Sequence, residues 1–285
     1  MSARADILLA TATEALDRQE DELLLVEALA GRRLRAEVAV WTDPAVRWHD
    51  ARMVIVRYAF DYTQDRDGFL TWAEKVETTT PLHNPSTVLR WNSHKTYLRE
   101  LEADGIPIVP TAWVDAGTEA ILEDLTDARG WRDVVVKPAV DNGARNALRV
   151  SPDRTKHGQA HLDSILRTRV AMIQPFITAT ETTGEKAMIH FDGRFSHAIR
   201  KDQMLAGRPF SFDRTPLTDP DPAEIALAEK LLARFAPPLL YARVDTILSD
   251  GVALLMELEA FEPVLFFSKA PGSADRMADA IVARL

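Results

Sequence analysis

Short apolar runs alternate with amphipathic stretches from the first residues of the chain, and none of the runs is long enough to span a bilayer. A sheet covered by helices demands that alternation, because its strands are buried on both faces while each helix presents a single apolar stripe. Ile7 to Ala10 reads as a first strand, and Arg18 to Gly31 as a helix whose leucines and Val26 face the sheet, with Gly31 as its stop. Ala36 to Trp41 and Met53 to Tyr58 are the next strands, and a helix over Asp65 to Glu77 follows. Pro81-Leu82-His83-Asn84-Pro85 then breaks the pattern and sets a domain edge near residue 90.

Beyond that edge, Asn92 to Asp104 predicts a helix closed by Gly105, and Ile106 to Val114 a strand that Pro107 and Pro110 confine to a sheet edge. A helix over Thr118 to Ala128 leads into the strand Val134-Val135-Val136-Lys137. Strands at Ala147 to Val150 and Ala171 to Ile177 flank a polar helix over Lys156 to Arg169. Asp192-Gly193 between alternating apolar residues makes Ala187 to Ile199 a hairpin. Ala206 to Asp221, with its prolines and no periodicity, reads as a long surface loop able to order over a ligand.

Hydrophobic residues at 46% and charged residues at 27% describe a folded globular protein and exclude a disordered tail. The balance of Lys+Arg and Asp+Glu, 34 − 43 = −9, disfavours nucleic-acid backbones and anionic lipid, so neither partner is expected. The absence of cysteine removes disulfides, thiolate nucleophiles and Cys-ligated metal centres. The opening apolar stretch, Ile7 to Ala12 interrupted by Thr11, is too short for a signal-peptide core, so a cytoplasmic location is expected.

The most informative stretch is Leu239 to Pro263, two strand-like runs joined around Ser249-Asp250-Gly251. Were Asp250-Gly251 a two-residue turn, Asp245 would face Met256, and Glu257 and Glu259 would point to the other side of the sheet. A three-residue loop with Gly251 in the left-handed bulge position instead pairs Leu248 with Val252, Asp245 with Leu255 and Arg243 with Glu257. That register is the expectation. It leaves Val244, Thr246, Leu248, Val252, Leu254, Met256 and Leu258 as a core face and gathers Arg243, Asp245, Glu257 and Glu259 on the opposite one. Carboxylates that close repel one another, and a magnesium or manganese ion with hard oxygen ligands relieves the repulsion. The bland alternative is a solvated face with one Arg243–Glu257 ion pair.

Lys137 closes an apolar strand and Lys95 lies one turn into the helix after Trp91-Asn92; both suit either a solvated surface or a counter-charge for phosphate. Asp141 to Asn146 follows Lys137 and is able to close over phosphates through backbone N–H groups. The chain has no P-loop and no strand-linked dinucleotide fingerprint. The strand Ala171 to Ile177 leaves through Pro175 and either offers backbone groups to an adenine edge or is a plain edge strand. His157 and His161 share a helical face without the glutamate of a zinc-protease motif, and a solvated helix accounts for them.

Taken in order, Asn92-x-x-Lys95, Val134-Val135-Val136-Lys137-Pro138, Ile173-Gln174-Pro175-Phe176-Ile177, Arg243-Val244-Asp245 and Glu257-Leu258-Glu259 resemble the ATP-grasp superfamily of ATP-dependent ligases over residues 90 to 265. Upstream, Arg57 to Tyr62 and Asn84-Pro85 through Asn92 resemble a subgroup related to the cycloserine-forming O-ureido-D-serine cyclo-ligases. The resemblance implies an α/β (α+β) ATP-grasp fold: an N-terminal Rossmann-like domain over 1–90, a central subdomain over 91–175 and a C-terminal subdomain over 176–285. It implies that Lys95 and Lys137 bind ATP phosphates, that Gln174, Pro175, Phe176 and Ile177 hold the adenine, and that Glu185 meets the ribose. Asp245, Glu257 and Glu259 would hold magnesium, although many members carry Asn where Glu259 stands. Arg243 would steady the transferred phosphoryl group, with Arg200 or Lys201 helping it or binding a substrate carboxylate.

Contacts to a small amino-acid-like substrate are assigned to Arg57, Asp61 and Tyr62, with Glu262, or the substrate phosphate itself, able to take a proton from an attacking amine. The implied chemistry is carboxylate activation by the γ-phosphate of ATP, then attack by an amine from a second molecule or from the same one. A catalytically silent nucleotide-binding protein and a plain α/β protein with a structural cation are the competing readings. A homodimer is compatible with all three.

Overall fold

The structure, a computed structural model, describes residues 4–14, 20–201 and 212–285. Its strands form three four-stranded sheets. The first, ordered β2-β1-β3-β4, is parallel throughout: β1 (Ile7–Thr11), β2 (Ala36–Val40), β3 (Met53–Val56) and β4 (Leu82–His83). Alternation along the two central strands assigns their faces. Ile7, Leu9, Met53 and Ile55 pack with Leu25 and Leu29 of α1 (Glu20–Gly31). Leu8, Ala10, Val54 and Val56 pack with Phe69, Leu70 and Ala73 of α2 (Arg66–Glu77), whose N-terminus is capped by the Asp65 side chain.

A four-residue connection, residues 93–96, overturns one expected helix. Two short helices, α3 (Ser86–Asn92) and α4 (Tyr97–Ala103), replace the single one expected over Asn92 to Asp104. Tertiary hydrogen bonds explain the break. The Asn92 amide donates to Leu258 O and accepts from Ala260 N, while the Tyr97 hydroxyl both donates to Leu258 O and accepts from Leu258 N. Lys95 therefore lies in the connection rather than one turn into a helix, and its N–H donates to Ala139 O.

The second sheet, ordered β5-β8-β6-β7, is antiparallel, with β5 (Ala112–Val114) at one edge as its flanking prolines require. It contains β6 (Val134–Pro138), β7 (Leu148–Val150) and β8 (Ala171–Pro175); α5 (Leu122–Asp127) and α6 (Thr155–Leu166) cover one face. The third, ordered β10-β9-β11-β12, holds the hairpin of β9 (Lys186–Phe191) and β10 (Arg194–Arg200) and that of β11 (Tyr241–Ser249) and β12 (Val252–Glu259). α4 and α7 (Pro222–Leu232) share one core with it, while α8 (Ser273–Val282) packs on α1 and carries the core of the first sheet onto β9. No helix among the described residues is long and apolar enough to cross a membrane. Of the expected loop over Ala206 to Asp221, residues 206–211 lie outside the described residues; the rest makes a bridge from Leu217 to Ile199.

The β11–β12 turn corrects the expected register. Asp250 and Gly251, with φ of 51° and 78°, form a two-residue turn closed by the pair Ser249–Val252. The pairing then runs Leu248–Ala253 and Thr246–Leu255, and shifts by one residue at Met256, so that Asp245 meets Glu257 and Arg243 meets Glu259. A bulge thus restores what the tight turn alone would have destroyed: the charged residues share a face. The core face is not the one expected, because Ala253 and Leu255 join it in place of Val252, Leu254 and Met256.

Candidate active site

A cavity of about 490 Å³ lies between the second and third sheets, and residues of all three sheet regions reach it. The period of two along β6 decides one wall: Val134 and Val136 enter the core, so Val135 and Lys137 face the cavity. Lys137 makes no ion pair with a described residue, and burial pulls its ammonium below the ordinary lysine range. Lys95, held by the α3–α4 connection, pairs with Glu257 at 2.7 Å and donates to Asp141 O at 2.6 Å.

The opposite wall is the charged face of the β11–β12 hairpin. Asp245, wholly buried, accepts from Arg243 Nε and Nη2 at 2.8 Å each and from Lys201 Nζ at 2.9 Å. Arg243 also pairs with Glu259, and Lys201 with Glu185 at 2.7 Å. Burial opposes the Asp245 charge, but Arg243 and Lys201 outweigh it and hold the carboxyl down at about 2. Burial is not outweighed at Glu259, which is pushed up to about 7 with Asp245 and Glu257 adding to the effect. Burial and the nearby Glu259 drive Glu262 well above the usual carboxylate range, and its Oε2 has no hydrogen-bond partner.

The repulsion expected among crowded carboxylates is therefore relieved largely by Arg243, Lys201 and Lys95. Among the described residues no three acidic or histidine side chains converge into a metal cage of their own. The cluster still fits a hard divalent cation: its donors are oxygens only, and Glu257 and Glu259 both line the cavity.

Gln174, Pro175, Phe176 and Ile177 all line the other end of the cavity. Gln174 is fixed by a bond from its Nε2 to Thr111 Oγ1, and Phe176 N donates to Asp133 O. The Arg149 guanidinium lies 3.4 Å from the Phe176 ring centre, held there by Asp133 and Glu181 at 2.7 Å each. Glu185 lines the cavity as well.

The remaining candidates divide. Lys201 lines the cavity, whereas the adjacent Arg200 is exposed, its stem lying over Gly184. Arg57 is fully buried outside the cavity wall, bonded to Glu22 at 2.9 Å and stacked between the Tyr58 and Tyr241 rings. Asp61 accepts from Trp41 Nε1 at 2.6 Å, and Tyr62 is buried against Glu262 and Phe261; neither lines the cavity. Phe60, just before Asp61, does line it, as does Glu262. Arg57, Asp61 and Tyr62, expected to meet the substrate, thus lie off the cavity wall, with their side chains held by partners within the N-terminal sheet region and its seam. Sequence reading missed Phe60, Met256, Val264 and Phe266 on the wall. Phe60 lies within the run Arg57 to Tyr62 that carried the subgroup resemblance; Met256 reaches the wall through the bulge, which no local pattern announces.

A family model described as "D-cycloserine synthetase DcsG, N-terminal domain" matches residues 7–84. The cycloserine biosynthesis protein DcsG of Streptomyces lavendulae is 30% identical over 295 residues, which span 98% of this chain and 99% of that protein. The crystal structure of D-cycloserine synthetase DcsG superposes with a TM-score of 0.92 at 29% identity, covering 98% of this chain and 99% of that one. A RimK domain ATP-grasp protein from Sphaerobacter thermophilus shares the fold at a TM-score of 0.71 and 18% identity, with 98% of each chain covered. The chain belongs to the DcsG family of ATP-grasp ligases, enzymes that use ATP to activate a carboxyl group for attack by nitrogen and release ADP and phosphate.

Proposed function

We propose that this ligase closes a ring within one small amino-acid-derived molecule, in the manner its DcsG relatives are named for, with O-ureido-D-serine as the substrate to test first. The observation that carries the reading is the charged face of the β11–β12 hairpin, whose Arg243, Glu257 and Glu259 line one cavity together with Lys95, Lys137 and Lys201, with Asp245 buried behind them. Phosphoryl transfer requires mainly positioning and charge neutralisation, and this arrangement supplies both.

In the first step a substrate carboxylate oxygen attacks the γ-phosphorus; the bond from that phosphorus to the β,γ-bridging oxygen breaks and ADP leaves. Lys95 and Lys137 offset the phosphate charge, and Arg243, held rigid by Asp245, faces the transferring group. In the second step a nitrogen of the same molecule attacks the acyl carbon, and phosphate departs with the carbon–oxygen electron pair. Glu262, aimed at the cavity with an unpartnered Oε2, is placed to bind the substrate amine or to hold the proton that the attacking nitrogen loses. Magnesium, or manganese, would be held by Glu257 and Glu259 with Asp245 behind them, and would supply further neutralisation of the phosphates. We assign Gln174 to Ile177 to the adenine, Glu185 to the ribose, and the cytoplasm as the location, where ATP is at hand. The three sheets are read as three units meeting near residues 90 and 175.

The test is incubation of the pure protein with ATP, magnesium and O-ureido-D-serine, with ADP measured and products identified by mass. A ring-closed product from one substrate molecule is expected. ADP accompanied only by a condensation product of two molecules excludes ring closure.

A further inference from the structure

The connection from β6 to β7, residues 139–147, is anchored at its base and tied at its tip by different partners. At the base, the Asp141 carboxylate accepts from Asn146 N at 3.1 Å and Asn146 Nδ2 at 2.9 Å, closing the loop on itself. Lys95 Nζ donates to Asp141 O, and Lys95 N–H to Ala139 O. At the tip, Gly143 and Ala144 take successive left-handed conformations, with φ of 60° and 55°. The Asn142 amide Nδ2, just before them, reaches out of the second sheet region and donates to Phe60 O at 2.6 Å.

Phe60 opens a short 3-10 turn, Phe60–Thr63, at the C-terminal end of the parallel sheet. That turn is rigid on its far side: Asp61 is held by Trp41, and Tyr62 packs edge-on against Phe261 while bonding to Glu262. Phe60 and Glu262 both line the cavity. One hydrogen bond thus joins the loop beside the phosphate-side lysines to the wall where the substrate would lie.

We infer that Asn142 is a positioning residue that couples the substrate wall to the phosphate-side loop, so that the loop is held closed only when the Phe60 turn is in its substrate-binding arrangement. This rests on the reading that the cavity holds ATP and a small substrate. Its purpose is to direct phosphoryl transfer. With the loop closed, the γ-phosphoryl group passes to the substrate carboxylate; with it released, water takes the carboxylate's place, the same bond to the β,γ-bridging oxygen breaks, and ADP, inorganic phosphate and a proton result with no ring formed.

The discriminating variant is Asn142→Asp, which keeps the shape and sets an acceptor against the Phe60 carbonyl; Asn142→Ala is the second variant if the first fails to fold. Two readouts are taken on the full chain. The first is ADP formed per ring product with ATP, magnesium and O-ureido-D-serine. A rise of about threefold or more is expected, with ATP affinity changed less than about twofold. The second is amide hydrogen exchange with a non-hydrolysable ATP analogue and magnesium. Residues 139–147 and 57–63 are expected to lose protection together in the variant. An unchanged ADP-to-product ratio, or loss of protection in 139–147 alone, overturns the coupling and leaves Asn142 as a local brace. Should the wild-type protein form no ring product, the substrate reading fails while the exchange measurement still decides the coupling.

Discussion

Arg57 and Arg243 are both buried arginines paired with carboxylates, yet their surroundings differ in one respect that separates stability from chemistry. Arg243 faces a cavity, and two of the carboxylates near it hold a second cation: Asp245 pairs with Lys201 and Glu257 with Lys95. Arg57 is sealed at the seam between the first sheet and β11, bonded through Nε to Glu22, with Nη1, Nη2 and Glu22 Oε2 lacking hydrogen-bond partners. Two tyrosine rings take the faces of its guanidinium instead. Burial raises the Glu22 carboxyl, an effect that Arg57 only partly offsets. A sealed pair of this kind joins two sheets; an open network of the other kind meets a ligand's charge.

The largest effect is expected at the sealed pair. Arg57→Leu strands the Glu22 charge and should lower unfolding stability by about 3 to 5 kcal/mol, read from urea denaturation. Loss of activity in proportion to the unfolded fraction, with normal kcat in the folded remainder, is the accompanying expectation. Arg243→Lys keeps the charge but loses the forked contact to Asp245 and Glu259, and should lower kcat by roughly 10² to 10³ with a much smaller change in urea midpoint. If the two substitutions trade signatures, the comparison is broken.

Acid sharpens it further. Burial holds His190 and His197 neutral, with pKa values pulled from 6.5 down to about 4. Between those values the unfolded chain binds more protons than the folded one, so stability is full above about 6.5 and is lost as pH falls toward 4. The loss should approach roughly 2 to 3 kcal/mol per histidine. Double replacement by Asn and Gln should flatten the slope of stability with pH in that window. The smallest net effect belongs to the double variant Glu22→Leu with Arg57→Leu, which removes both charges together and should recover to within about 1 to 2 kcal/mol of wild type. A double variant no more stable than Arg57→Leu alone would show that the ion pair itself holds the seam.

What was legible in the sequence follows the same divide. The parallel sheet was readable because Ile7 to Ala10 and Met53 to Val56 are continuous apolar runs between amphipathic helices, and the strand that ends in Lys137 was readable as an apolar run, although which way that lysine points was not. The hairpin's charged face was anticipated through the wrong turn. Asp-Gly formed the two-residue turn it favours, and the acids were brought together by an extra residue at Met256 that carries no composition of its own. The helix break around Lys95 was equally hidden, since Asn92 and Tyr97 bond to residues of β12 and its exit far along the chain. Arg57, Asp61 and Tyr62 drew attention as polar and aromatic side chains at a strand end, but their partners, Glu22, Trp41 and Glu262, are set by the packing of three sheets.

The central claim is that the bulged hairpin presents its acids and Arg243 to the phosphates of ATP. Calorimetric titration of ATP into the wild-type protein and into Glu257→Gln, each with magnesium and with excess chelator, tests it directly. The account predicts binding by the wild-type protein that weakens by at least about tenfold on chelation, and a clearly smaller dependence on magnesium in the variant. Wild-type binding that is absent, or identical with and without magnesium, would contradict it.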